Sequence, residues 1–224
     1  MSGAGAATYS AYDQFNVAGG AITATDFAFG YLPGGDTFGG ALTAFTRFDT
    51  NCAGNVNFQC AATFSGDTTP GVYKAAGSHA TGTVVFQPGE LNLHPGSQGE
   101  LTAVQFIAPI AGLYSFSGTF SINDLYPNSV SLLTYVGGTN THSSTLSGGF
   151  GSSYAINFDA NLAAAQRVTF LVGPNGAYNN DSTGFALTVS AGGVPEPATW
   201  AMMILGFAGT GVALRRQKAI RAAA

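Results

Sequence analysis

A two-residue alternation of apolar and polar side chains restricts the fold of this chain more than any other feature. In LYSFSGTFSI, one side of the pattern is apolar and the other is mainly serine and threonine, the apolar members being Tyr114, Phe116, Phe120 and Ile122. The windows SVSLLTYVGG, RVTFLVG and GFALTVS follow the same period. Because successive side chains of a β-strand point to opposite faces, this period predicts strands with one buried face.

Clusters of turn-forming residues separate the alternating windows. They are LPGGD, HPGSQGE, DLYPNS, VGGTNT and GPNGAYNND, rich in the glycine, proline and asparagine that tight turns favour. About eight to twelve short strands at this spacing predict an all-β fold, an antiparallel β-sandwich of jelly-roll type over residues 8–190. Only DANLAAAQ has a helical pattern, long enough for one or two turns.

Basic charge is concentrated in the last ten residues. Only 8% of the chain is charged, and four of its seven basic residues are Arg215, Arg216, Lys218 and Arg221. Residues 1–194 hold three basic and ten acidic residues, which gives them a formal charge of −7. A body of this sign repels phosphate backbones, so we expect no nucleic-acid partner.

An uncharged apolar segment precedes the basic end. Residues 198–214 would form a helix of about 25 Å, close to the thickness of a bilayer core. With the basic tail at 215–224, the segment predicts one transmembrane helix, a cytoplasmic C-terminus and an exported body. The alternative is a buried core helix, favoured by the short length and the glycines of the segment. An amphipathic core helix would have a polar face, however, and this segment is apolar all round.

Residues around the apolar segment stand in a distinctive order, which begins in a linker at 191–197 and consists of Pro195, Glu196, Pro197, Trp200, Ala201, Arg215 and Arg216. This order resembles the PEP-CTERM sorting signal. The resemblance implies recognition and cleavage by an exosortase, a membrane-embedded transpeptidase of Gram-negative bacteria that make exopolysaccharide. It also implies that the Pro-Glu-Pro triplet is a substrate motif, kept extended by its prolines.

The rest of the chain bears two further resemblances. Proteins with this signal carry an N-terminal signal peptide, and the AGAA within residues 1–7 is similar to the end of one, so we expect these residues to be its remnant. Residues 85–190 are similar to a body commonly found with the signal and to the sandwich of many carbohydrate-binding modules. That resemblance implies the fold more strongly than it implies a ligand.

Cys52 and Cys60 stand eight positions apart in the polar loop NCAGNVNFQC. In an exported protein this arrangement predicts a disulfide, which would stabilise the fold by about 2.5 kcal/mol through loop closure. The alternative is a pair of free, buried cysteines that behave as small apolar residues.

Residues suited to catalysis are sparse. The three histidines, His79, His94 and His142, lie in separate segments without a partner at metal-ligand spacing. The sequence contains no nucleophile elbow, phosphate-binding loop or metalloprotease motif. We therefore expect no enzymatic activity.

Two kinds of binding residue are candidates. Tyr31, Tyr126 and Tyr178 lie in or beside predicted turns, where exposed rings can stack on sugars, although most aromatics of a sandwich belong to its core. The loop NNDSTG offers the oxygen atoms that Ca²⁺ prefers, on Asn179, Asn180, Asp181 and Thr183. A tight turn needs the same residue types, and it is the alternative for this loop. We expect no other cofactor.

These patterns predict an exported, non-catalytic protein that its tail holds in the inner membrane until an exosortase processes it. Its destination would be the cell surface or the extracellular matrix of a biofilm, with exopolysaccharide as a partner. The alternative is a surface lectin similar to a carbohydrate-binding module, which a groove lined with tyrosines would favour. Ice binding is disfavoured because no regular Thr-x-Thr ladder occurs.

Overall fold

Strands account for nearly all the regular structure in the computed structural model, which describes residues 7–34, 38, 40–52, 58–63, 69–192 and 207. One short helix, α1 (Ala11–Gln14), lies near the N-terminus. The strands in chain order are β1 (Thr8–Ser10), β2 (Val17–Ala18), β3 (Ala21–Ile22), β4 (Phe27–Leu32), β5 (Arg47–Asp49), β6 (Phe58–Ala62), β7 (Gly71–Ala75), β8 (His79–Thr81), β9 (Val84–Phe86), β10 (Leu91–His94), β11 (Leu101–Ile107), β12 (Gly112–Ile122), β13 (Val130–Val136), β14 (Thr139–Leu146), β15 (Ser153–Leu162), β16 (Arg167–Pro174) and β17 (Thr183–Ala191).

The larger sheet has eight strands. Seven follow the order β15, β12, β17, β10, β7, β6 and β5, and β1 is the eighth. Strand β17 has β12 along one edge and two successive neighbours along the other, because β10 pairs with its first residues and β1 with its last ones. All these pairings are antiparallel.

The smaller sheet has five antiparallel strands in the order β14, β13, β16, β11 and β4. From β10 to β17 the chain changes sheet at every connection except the hairpin between β13 and β14. The pairs β2–β3 and β8–β9 form two small ribbons. The predicted antiparallel β-sandwich is confirmed, and the regular crossing between its sheets is typical of a jelly-roll-like fold.

Aromatic rings from both sheets meet in the main core. The ring of Phe116 in β12 lies 5.7 Å from that of Phe106 and 6.1 Å from that of Phe170, both in the smaller sheet. Phe170 lies 5.5 Å from Phe185, which returns the contact to the larger sheet. All four rings are at most 2% exposed. The alternation therefore predicted the inward faces of these strands correctly.

Gly137 and Gly138 join β13 to β14, as the VGGTNT turn pattern predicts. Their φ angles are 58° and 86°, and a two-residue hairpin turn of this kind needs positive φ at both positions. The alternation does not predict β14 itself, because this strand is polar on both faces. An exposed edge strand tolerates such a pattern, and its polar side chains discourage pairing with another chain.

The helical prediction for DANLAAAQ is wrong. Its first half, Asp159–Leu162, completes β15 by pairing with β12, and residues 163–166 form the turn that leads to β16. Pairing with a distant strand here overrides the helix preference of alanine, which is a weak local effect. The short helix α1 lies elsewhere in the described part of the chain, and no pattern in the sequence predicted it.

Among the described residues, no helix combines the length and the apolar character needed to cross a bilayer. The predicted transmembrane helix at 198–214 falls outside the described residues except at Phe207, and so do most of the linker 191–197 and the whole tail 215–224. Residues 1–6 of the expected signal-peptide remnant are also outside. These assignments stay predictions.

The two faces of β12 allow a matched test of the aromatic core. Phe116→Ala should lower the free energy of unfolding by about 3–5 kcal/mol, because it removes a ring that bridges the sheets and leaves a cavity. Leu113→Ala, on the same strand but 52% exposed, should change it by less than about 0.5 kcal/mol. Urea unfolding of both variants measures the difference, and equal losses would contradict this assignment of the core.

Candidate functional site

A cavity of about 430 Å³ lies on the side of the larger sheet that faces away from the main core. Strands β10, β7, β6 and β5 form its floor, and the connection between β16 and β17 forms one wall. We call it the sheet cavity. Its lining includes Arg47, Asp49, Asn92, His94, Tyr178 and Asn180.

The sheet register explains why these side chains converge. His94 in β10 pairs with Gly71, Gly71 pairs with Ala62, and Ala62 pairs with Arg47 in β5. This row has polar side chains at its two ends and the smallest residues between them. The cavity is therefore a shallow trough, because glycine and alanine leave the middle of the row open.

The disulfide supports one end of the cavity. Cys52 and Cys60 are bonded, as predicted, and no cysteine among the described residues is free. Both sulfurs belong to a small second core beneath the β8–β9 ribbon, where the rings of Phe58 and Phe86 lie 4.7 Å apart. This second core holds β6 against the ribbon and fixes that wall of the cavity.

His94 and Tyr178 form the opposite end of the cavity. Their rings lie 6.5 Å apart in an edge-to-face arrangement. The Nδ1 atom of His94 is 2.8 Å from the carbonyl oxygen of Pro95, and the hydroxyl of Thr102 donates to the backbone carbonyl of His94. The imidazole is thus held by its neighbours, and Tyr178 presents a half-buried ring beside it.

Asn92 is the residue of the cavity whose hydrogen bonding is incomplete. It is 2% exposed, and its Nδ2 atom has no hydrogen-bond partner among the described residues. A buried amide donor without an acceptor destabilises a fold by about 1–3 kcal/mol. Asn92 therefore offers a donor to any acceptor group that enters the cavity.

The three predicted tyrosines lie apart from one another. Tyr178 lines the sheet cavity. Tyr31 belongs to β4 of the smaller sheet, where its ring stacks on Phe45 at 6.0 Å. Tyr126 is 72% exposed on the connection between β12 and β13 and does not line the cavity. One of the three is therefore placed at a concave surface with other polar groups.

The predicted calcium loop divides between two environments. Asn179 and Asn180 line the sheet cavity. Asp181 is 1% exposed, and neither of its carboxylate oxygens has a hydrogen-bond partner among the described residues. Burial, and then the negative charge of Asp124, raise the pKa of Asp181 to about 7. No group of three or more histidine, cysteine or acidic residues in the described part of the chain is arranged to hold a metal ion.

A second concave surface opens between the edges of the two sheets, where β15 faces the β13–β14 hairpin. This edge cleft has a volume of about 450 Å³, and its lining includes Phe158, Asp159 and Asn161. At its mouth, the Tyr154 hydroxyl and the His142 Nε2 atom lie 2.6 Å apart in a hydrogen bond.

The described residues place His142 in the edge cleft, His94 in the sheet cavity and His79 beside Phe58, so the three histidines are not grouped.

Sequence reasoning missed Asn92, Arg47 and Asp124. Asn92 had a weak signal, because the strand LNLH alternates leucine with polar residues and so predicts a polar outer face. This alternation did not predict that loops would cover the outer face and bury the side-chain amide of Asn92. Arg47 and Asp124 carried no signal, since their places follow from contacts with distant parts of the chain.

The end of the chain has a clear counterpart among known sequences. Residues 193–217 match the PEP-CTERM protein-sorting motif. This chain carries a PEP-CTERM sorting signal. The match contains all seven residues of the predicted motif, from Pro195 to Arg216, which lie outside the described structure. The PEP-CTERM signal implies an exported protein that an exosortase processes.

Several solved structures are similar to the sandwich at low sequence identity. A CBM51-2 domain of Clostridium perfringens ZmpB in complex with GlcNAc is 12% identical with a TM-score of 0.36, and the match covers 48% of this chain and 22% of that one. A family 35 carbohydrate-binding module from Clostridium thermocellum is 14% identical with a TM-score of 0.32, covering 61% and 89%. CBM35 from Paenibacillus barcinonensis is 11% identical with a TM-score of 0.33, covering 83% and 99%. No curated protein matches the chain.

The raised pKa of Asp181 predicts how stability depends on pH in metal-free buffer. In the unfolded chain this carboxyl releases its proton near pH 4, whereas in the folded protein it does so near pH 7. Between these values the folded state binds more protons, so the free energy of unfolding should fall as pH rises from about 4 to about 7 and should level off above.

Asp181→Asn should remove this part of the pH dependence. Asp159→Asn, which neutralises an exposed carboxylate on β15, is the matched control and should leave the pH dependence in place. Urea unfolding between pH 5 and pH 8 in the presence of a chelator measures the effect. An unchanged slope in Asp181→Asn would show that this carboxyl does not titrate as described.

Proposed function

We propose that this PEP-CTERM protein is an exported, non-catalytic component of the cell surface or extracellular matrix, sorted by an exosortase through its tail. The observation that carries the proposal is the match of residues 193–217 to the sorting motif. In this function the Pro-Glu-Pro triplet is the segment that the exosortase recognises, and residues 198–214 hold the precursor in the inner membrane with its basic end in the cytoplasm.

Processing changes the charge of the protein. The basic residues of 215–224 leave with the tail, so the mature body retains a formal charge close to the −7 of residues 1–194. Its outer surface supports a matrix role, because the exposed faces of β12 and β14 are made mainly of serine, threonine and asparagine. Such a hydroxyl-rich surface suits contact with hydrated exopolysaccharide.

The sorting step is tested by the intact mass of the native protein in its host. In wild-type cells the mature protein should have lost the basic tail, including Arg221. In a strain without the exosortase, the full tail should remain and the protein should stay in the inner-membrane fraction. Replacing Pro195, Glu196 and Pro197 by alanine should reproduce the mass found in that strain. A tail that persists in wild-type cells would rule out exosortase processing.

The sheet cavity favours a second candidate function, glycan binding at the cell surface. Its volume of about 430 Å³ is in the range of small-molecule sites, which combine apolar walls with a few placed polar groups. The Nδ2 atom of Asn92 is a buried donor without a partner among the described residues, and a sugar hydroxyl is an acceptor of the right kind. Tyr178 supplies a ring at the same end.

The ligand of this cavity would be a neutral or weakly charged sugar. Arg47 and Asp49 both line the cavity, so charges of opposite sign stand at the same end. A strongly charged ligand would be repelled by one of them, whereas hydroxyl groups can bond to both.

Glycan binding is tested by retention of the protein on the exopolysaccharide of its host. Tyr178→Ala and Asn92→Leu should each weaken binding about tenfold or more, the second because leucine has the same branching at Cγ but no donor. Tyr126→Ala is the matched control, an exposed tyrosine outside the cavity, and should bind like the wild type. If the wild-type protein is not retained, or if the control loses as much as Tyr178→Ala, the sheet cavity is not a glycan site.

A further inference from the structure

Two buried carboxylates occupy the region where a pair of connections meets at one end of the sandwich. Asp124 lies on the connection between β12 and β13, and Asp181 lies on the connection between β16 and β17. Each is 1% exposed. The chain has few acidic residues, so two fully buried ones with a mutual electrostatic effect call for a physical explanation.

Backbone contacts hold the two connections together. The Asn123 N–H donates to the Ser182 carbonyl oxygen at 2.9 Å, and the Asn128 N–H donates to the Asn180 carbonyl oxygen at 3.3 Å. The Asn128 side chain adds a bond of 2.6 Å from Nδ2 to the Asn179 carbonyl oxygen. The two segments that carry Asp124 and Asp181 are therefore held side by side.

Few hydrogen-bond donors reach the two carboxylates to stabilise their negative charges. Asp124 accepts a bond of 3.2 Å from the Tyr126 N–H at its Oδ1 atom. Neither oxygen of Asp181 has a partner among the described residues. The hydroxyl of Thr183 donates to the backbone carbonyl of Asp181 and not to its carboxylate. An ionised carboxylate that is buried without a donor or a cation is strongly unfavourable.

A proton or a metal cation could remove this penalty. A shared proton would bring an oxygen of each carboxylate within hydrogen-bond distance, but no such bond joins Asp181 to Asp124. The bare carboxylate oxygens of Asp181 lie on a connection that is bonded to the one carrying Asp124, a second buried carboxylate. Hard divalent cations are bound by these oxygen ligands.

We propose that Asp124 and Asp181 bind one Ca²⁺ ion, which fastens the connection between β12 and β13 to the connection between β16 and β17. The ligands are side-chain carboxylates at two points, completed by carbonyl oxygens and water, as is usual for Ca²⁺. Zinc is disfavoured because the pair includes no histidine or cysteine. With two carboxylates the affinity should be modest, with a Kd of about 10⁻⁴ to 10⁻³ M, typical of extracellular modules.

This site differs from the one that the loop sequence NNDSTG predicts. Asp181 is common to both, but the side chains of Asn179 and Asn180 line the sheet cavity, and Asp124 comes from another part of the chain. The ion would also steady one wall of the sheet cavity, because Asn180 and Ser182 flank Asp181 and line it. The proposal does not depend on that cavity binding a sugar.

The test uses the purified full-length chain, stripped of metal with EDTA and returned to chelator-free buffer at pH 8. Calorimetric titration with CaCl₂ should give one site per chain, and MgCl₂ should bind at least tenfold more weakly. Free Ca²⁺ at about ten times its Kd should raise the Tm by about 3–6 °C for a chain of this size. Absence of Ca²⁺ binding by the wild type up to 10 mM would overturn the proposal, as would equal binding of MgCl₂.

Three variants assign the binding to the carboxylate pair. Asp181→Asn and Asp124→Asn should each abolish the rise in Tm with CaCl₂, whereas Asp159→Asn, with an exposed carboxylate, should keep it. In EDTA, Asp181→Asn should be at least as stable as the wild type, because it removes a buried, unpaired charge. A rise in Tm that persists in both pair variants would place the ion elsewhere. Calcium binding by the wild type is measured directly, so the test holds even if one variant does not fold.

Discussion

Aromatic packing between the two sheets is the interaction on which the rest of the structure depends. Phe116 and Phe185 project from the larger sheet and meet Phe106 and Phe170 of the smaller one. Few charges are available to this chain, so burial of large apolar side chains is its main source of stability. Because the inward positions are occupied by these rings, the serine and threonine residues between them face outward. The polar surface is thus a direct consequence of the core.

The larger sheet has a second face, opposite the main core, and this face carries the candidate site. Side chains of β10, β7, β6 and β5 line it, and the β8–β9 ribbon and the disulfide cover part of it. Polar residues that would otherwise be exposed, such as Asn92, become buried there. An incompletely bonded amide in a concave site is a stability cost that binding can offset. The same reasoning applies to Asp181, whose burial beside Asp124 is unfavourable without a cation or a proton.

The sorting signal and the sandwich impose separate requirements on the chain. The PEP-CTERM match at 193–217 depends on the order of residues along a short segment and needs no tertiary contact. The sandwich depends on pairing between strands that are far apart in the sequence, such as β1 and β17, its first and last strands. The motif and the sandwich are thus specified by different features of the chain, residue order in one case and long-range pairing in the other.

What the sequence determined by itself was local in origin. The two-residue period identified the core strands, the turn residues identified the hairpin at Gly137 and Gly138, the cysteine spacing identified the disulfide, and residue order identified the sorting signal. The tertiary structure alone decided that DANL is a strand, that β14 exists, and that the connections carrying Asp124 and Asp181 are bonded to each other. These outcomes depend on contacts between residues far apart in the chain. A local pattern records the preference of a segment, whereas its final conformation and the partners of its side chains are set by the free energy of packing against the whole sandwich.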